Sequence, residues 1–161
     1  MAFSLFIWWV GELLLGFQTE HIAQVHISFF ISNTLIIAIG MWMTLQACAK
    51  SLSRDELKYG TLMISAGVNL MAMGFLVFAF SLVFYKMVNP AWTQTMVDAN
   101  MAVLTDTDVE TLDKKRKAFN AIYSASSMGM KHFSRIVFIG FFLMLVESAI
   151  VLLIAKRRQA S

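Results

Sequence analysis

Residues 25–47, 60–85 and 133–155 form three long apolar runs, each holding at most two charged side chains, and that continuity restricts the chain to very few folds. A helix needs about 20 apolar residues to cross a hydrocarbon core about 30 Å thick. Lipid offers the backbone no hydrogen-bonding partners, so a spanning segment must be a helix or part of a closed barrel. Barrel strands alternate apolar and polar residues, and these runs do not. The expected class is therefore all-α, a polytopic membrane protein.

A fourth, shorter run covers residues 3–17. Interfacial helices carry a polar face; this one has none, and Trp8 and Trp9 sit in its middle. Crossing with local thinning of the bilayer is the expected arrangement. The segment has no basic residue before it and no small-residue cleavage pattern after it, so it is read as a retained span rather than a secretory signal. Four transmembrane helices then account for nearly all of the 161 residues as a single helical domain, 1–161. With 58% hydrophobic and only 14% charged residues, the chain departs from soluble domains, which average about 25% charged.

Residues 89–131 form the one long polar connector. Asn89-Pro90 has the form of a helix stop followed by an N-cap and a first-turn proline, ending the third span near Val88. Further on, Asp106, Asp108, Glu110 and Asp113 precede Lys114, Lys115, Arg116 and Lys117, the order a helix dipole prefers. Thr107 and Glu110 have capping-box spacing, and Glu110 and Lys114 form an i,i+4 pair. Val109, Leu112, Phe119 and Tyr123 recur on one side. An amphipathic extramembrane helix between spans three and four is expected here.

The net charge of +3 comes from thirteen basic residues scattered over short segments, which argues against a nucleic-acid partner and assigns them to orientation. Lys50, Arg54 and Lys58 separate spans two and three, and Lys156, Arg157 and Arg158 follow span four. Both termini are then expected on the cytoplasmic side, although Lys114 to Lys117, Lys131 and Arg135 weigh the other way. The single cysteine, Cys48, excludes an intramolecular disulfide and a Cys-based metal motif.

Helices associate in lipid by close packing at small residues and by polar contacts. Gly60, Gly67 and Gly74 recur every seven residues in span three; Asn33 and Gly40 share that interval in span two, as do Gly140 and Glu147 in span four. These residues predict the inward faces of a bundle. Glu12, Asn33, Asn69 and Glu147 are the expected buried polar groups. An ionised carboxylate at mid-span costs at least about 2.5 kcal/mol, so Glu12 and Glu147 must be neutral, paired or wetted. Either a hydrogen-bonding acid or a proton relay satisfies that demand.

His21, His26 and His132 fall near one membrane boundary. His26 and His132 come from two helices at matched depth, as bis-histidine haem ligation requires, whereas His21 and His26 lie about 140° apart around one helix and do not chelate together. The competing reading is that they are polar residues at headgroup level, and no cofactor is required by the pattern. No nucleophile with its base, phosphate loop, CxxC pair or HExxH helix is present. Twelve methionines and fourteen phenylalanines are packing material in such a setting.

The run Ala47-Cys48-Ala49-Lys50-Ser51-Leu52-Ser53-Arg54-Asp55-Glu56 precedes a span that starts with glycine. Span three exits through Phe78-Ala79-Phe80-Ser81-Leu82-Val83-Phe84-Tyr85 to Asn89-Pro90, and the last span ends Lys156-Arg157-Arg158. Together with the charged insert, this pattern resembles a bacterial family of small four-span inner-membrane proteins catalogued as a domain of unknown function. The likeness covers most of the chain, but the connector from His21 to His26 departs from it. It implies fold and location, and no activity. The function expected from the whole reading is a non-catalytic accessory or scaffold subunit of a larger bacterial membrane complex, with lipid and other membrane subunits as partners. Two alternatives stay open: a small redox-linked or proton-coupled subunit using His26, His132 and Glu147, and a small solute carrier.

Overall fold

The computed structural model describes residues 1–18, 25–104 and 108–158. Every regular element among them is helical: α1 (Ala2–Leu14), α2 (Val25–Ser51), α3 (Tyr59–Val83) continuing through a π-helical turn (Phe84–Val88), α4 (Trp92–Ala102), α5 (Val109–Ile122) and α6 (Ala125–Arg158). Three helices, Phe30–Ser51, Tyr59–Val88 and Ala125–Arg158, are long and apolar enough to cross a membrane. They mark the chain as a membrane protein. α1 has 13 residues, about 20 Å of helix, which is shorter than the hydrocarbon core.

One repeating stripe explains how the long helices meet. In α3 the buried residues are Leu62, Ala66, Leu70, Met73, Gly74, Val77 and Ser81. In α6 they include His132, Ile136, Gly140, Met144, Ser148 and Val151. Steps of three and four keep a residue on one side of a helix, so each long helix turns one stripe inward and leaves residues such as Ile64, Phe75, Phe138 and Leu153 on the outer surface of the bundle. α6 packs chiefly on α3 and α2. α1 lies along α3, with Phe6 against Phe80 and Trp9 against Phe84, and its Met1 side chain rests on Gly40, midway along α2.

Two boundaries differ from the sequence expectation. α6 starts at Ala125 rather than near residue 133, because the Ser124 hydroxyl accepts from the Ser127 amide at 3.3 Å and caps a helix that runs on through Ser126, Ser127 and Gly129. At 34 residues it is about 51 Å long and extends well beyond the hydrocarbon core. Asn89 does not cap α4, whose N-cap is Ala91. The Asn89 amide N–H instead closes the π turn on the Phe84 carbonyl at 2.8 Å, and its side chain donates to Gln18.

The connector holds two helices rather than one. α4 buries Trp92, Met96 and Val97. α5 buries nothing, and Val109 is 79% exposed. The two are joined by Thr93 donating to the Tyr123 carbonyl at 2.8 Å and by Arg116 near Asp98 at 3.8 Å. Asp108, not Thr107, caps α5, accepting from the Thr111 amide at 2.9 Å; Thr107 lies outside the described residues.

Candidate functional site

A cluster of polar and aromatic side chains sits where α1, the end of α3 and the first turns of α6 converge. The π turn carries Phe84 and Tyr85 inward, both buried. Tyr85 Oη lies 3.0 Å from His132 Nε2. The Tyr85 ring lies nearly parallel to His132 with centroids 6.0 Å apart, and Trp9 packs on His132 at 4.6 Å between centroids. Trp92 adjoins Tyr85 at 5.7 Å. Gln18 ties the periphery together, donating to the Trp9 carbonyl at 3.2 Å and accepting from Asn89 at 2.9 Å. Insertions of the π type recur at functional sites in helices, and here the turn sets both the Tyr85–His132 contact and the Asn89–Gln18 contact.

Of the proposed haem ligands, His132 thus has its Nε2 facing the Tyr85 hydroxyl and its ring in contact with Trp9 and Tyr85. The side chain of His26, like all of His21, lies outside the described residues. Among the described residues no group of three or more His, Cys, Asp or Glu side chains is placed to hold a metal ion.

Glu12 stands one turn from Trp9 and is 2% exposed. Its Oε1 accepts from Trp8 Nε1 at 2.7 Å and from the Ser28 hydroxyl, tying α1 to α2. Its Oε2 is buried and has no close hydrogen-bond partner among the described residues. Glu147 is 9% exposed, and its Oε2 likewise has no partner among the described residues. Among the described residues neither side-chain polar atom of the buried Asn33 finds a hydrogen-bond partner, nor does the Ser148 hydroxyl. Asn69 donates to Thr44 Oγ1 at 3.2 Å, an α3–α2 contact. The sequence-predicted polar residues are therefore spread along the bundle rather than gathered: Glu12 belongs to the aromatic end, Asn69 to the α2–α3 contact, and Glu147 bonds to neither Asn33 nor Asn69.

The glycines divide by depth of contact. A Cβ on Gly140 would overlap the Leu70 side chain, and one on Gly40 would overlap Met1. At Gly74 it would stand 3.0 Å from Phe133. Gly67 has only Met144 Sδ at 3.8 Å, and Gly60 has nothing within 4 Å. The close α3–α6 approach is thus made at Gly74 and Gly140, and Gly60 at the start of α3 takes no part in it.

The opposite end of the bundle is basic. Lys50 and Arg158 line one cavity there, and Arg54, Lys58 and Lys156 line another. Ser53 donates to Glu56 from both its hydroxyl and its amide, at 2.6 and 3.1 Å, which holds that exposed carboxyl below the usual glutamate range.

Sequence reasoning missed Trp9, Gln18, Ser28 and Tyr85. Leu5, Trp9 and Glu12 recur at steps of four and three, a signal that would have placed Trp9 inward with Glu12. Gln18 and Ser28 carried no such signal. No protein-family model, curated protein or solved structure matches the chain.

Proposed function

We propose that the chain is a non-catalytic accessory or scaffold subunit of a larger complex in a bacterial inner membrane. The observation that carries this reading is Glu147. It lies on the packing stripe of a membrane-length helix, and none of the described residues gives it a hydrogen bond or an ion pair. A carboxyl at that depth is costly without a partner, and interhelical polar contacts are one of the few forces that join helices in lipid. A neighbouring subunit supplies the missing donor in this reading. Asn33 and Ser148, also without a side-chain partner among the described residues, add to the demand.

The proposed topology follows the basic end. Lys50, Arg54, Lys58, Lys156 and Arg158 gather there, and basic residues in short loops stay cytoplasmic. α4 and α5 then face the other side, and α5 presents its apolar side chains to a partner or to headgroups. In this reading α1, only 13 residues long, serves as a fourth span across a locally thinned bilayer, with both termini on the cytoplasmic side. Kinship with the small four-span family of unknown function fits this arrangement.

Mild-detergent purification of the untagged chain from native membranes tests the reading. It should migrate with other polypeptides in fixed stoichiometry. Glu147→Gln should keep that assembly, and Glu147→Leu should release the chain while α-helical content is retained. A lone monomer with transport activity in liposomes would sink the proposal in favour of a carrier. A Glu147→Gln complex that assembles but loses proton-coupled turnover would replace it with the relay reading.

A further inference from the structure

Two adjoining hollows between the last turns of α2 and α6, about 530 and 140 Å³, share Gln46, Lys50 and Arg158 in their walls. Along α2, Trp42, Gln46 and Lys50 follow at steps of four, and along α6 Ile154 and Arg158 do the same. Residues four apart lie on one side of a helix, one above the other, so the groove is graded along its length. Trp42, Met43 and Ile154 make its inner part apolar, Gln46 supplies an amide, and Lys50 and Arg158 bring two cations to its outer end. Lys50 stands about 12 Å beyond Trp42 along the axis. Met43 is 65% exposed and both cations are exposed, so the groove opens on the outer surface of the bundle. No acidic side chain is among the described residues that line it. The C-terminal ends of α2 and α6 each carry about half a negative charge, but residues 50–58 and 156–158 hold six basic side chains against Asp55 and Glu56, which leaves this end positive.

The geometry points to this groove as a binding site for an anionic phospholipid of the phosphatidylglycerol type. Its order of chemistry is that of the lipid: acyl chain along Met43, Ile154 and Trp42, ester carbonyl at the Gln46 amide, phosphate at Lys50 and Arg158. Basic pockets between membrane helices at headgroup level take such groups. Arg158 has five N–H donors and can hold a protein acceptor and a phosphate at once. A zwitterionic lipid is a poorer occupant, because its ammonium would enter the same excess of positive charge. The second basic cavity differs: Asp55 stands among its cations, and its one apolar residue, Leu57, is 2% exposed, so it offers an acyl chain no surface. The inference depends neither on the accessory-subunit reading nor on which side of the membrane the basic end faces.

The full chain in phosphatidylcholine nanodiscs with stepped fractions of phosphatidylglycerol, read by native mass spectrometry after release of bulk lipid, tests the site. Wild type should retain one phosphatidylglycerol in preference to phosphatidylcholine. Lys50→Gln with Arg158→Gln should lower the apparent affinity about 10- to 100-fold, the loss expected for two basic side chains at an anionic headgroup. Arg54→Gln with Lys58→Gln removes the same charge from the second cavity and should leave that lipid bound. All four side chains are exposed, so both double variants should keep the wild-type circular dichroism. Glycerol 3-phosphate, which has the charge without the acyl chains, should not displace the lipid at millimolar concentration. Equal losses in the two double variants would mean attraction to the basic end as a whole and would overturn the groove. Equal retention of phosphatidylcholine and phosphatidylglycerol by wild type would overturn the charge selection, and displacement by glycerol 3-phosphate would assign the two cations to a soluble phosphate ester instead.

Discussion

The Tyr85 hydroxyl and the His132 Nε2 stand 3.0 Å apart with their rings stacked at an interplanar angle of 8°, both side chains closed off from solvent. They join the end of α3 to the start of α6, 47 residues later in the chain. A buried polar atom that loses its partner retains its full desolvation cost, about 1–3 kcal/mol. Tyr85→Phe and His132→Leu should each destabilise the folded chain by about that amount, and the double variant by less than the sum of the two, with a coupling of about 0.5–3 kcal/mol. Reversible unfolding in mixed micelles measures the cycle. Strict additivity would show that the two side chains contribute independently.

Gly140 and Gly60 make an internal contrast. A side chain at Gly140 would overlap Leu70, whereas one at Gly60 meets open space. Gly140→Leu forces α6 away from α3, and overpacking of this kind costs about 1–3 kcal/mol. Gly60→Ala lies away from any contact and should stay within about 0.5 kcal/mol of wild type. The same unfolding titration reads both. Comparable losses at the two sites would mean that α3 packs on α6 over its first turn as well.

The membrane-length helices were legible because lipid leaves a single signal, uninterrupted apolar length, and 60–85 in the sequence corresponds to Tyr59–Val88 in the structure. Heptad spacing picked out Gly74 and Gly140 but gave Gly60 the same weight. Spacing reports which side of a helix a residue occupies, not where along the axis the neighbouring helix comes close. Glu12 was legible as a carboxyl inside an apolar run; its fixation by Ser28 across a connector, and the aromatic contacts of His132 with Trp9 and Tyr85, depend on where α1 docks, which no local pattern encodes. The cap of α5 shows the limit of motif matching. Thr107 and Asp108 are adjacent, both suited to the position, and only the backbone geometry selects Asp108, whose φ of −76° and ψ of 117° turn its carboxylate onto Thr111.

That cap gives a pH dependence. The Thr111 side chain and amide both bond the Asp108 carboxylate and hold it below the usual aspartate range. Its folded-state value is lower than its unfolded one, so the cap's contribution to α5 is complete above the unfolded value and is lost as pH falls through the folded one. α5 buries no residue of its own, so little else anchors its first turn. Amide hydrogen exchange at Thr111 and Leu112 should be faster in Asp108→Ala than in wild type near neutral pH, after correction for intrinsic rates. Below the depressed Asp108 value the two proteins should exchange alike, because the protonated carboxyl no longer caps as an anion. Asp108→Asn should fall between them, since a neutral amide oxygen still accepts from the Thr111 N–H but brings no charge to the helix dipole. Protection at Thr111 that stayed constant in wild type across that pH range would mean that contacts between α4 and α5, not the cap, hold the first turn of the helix.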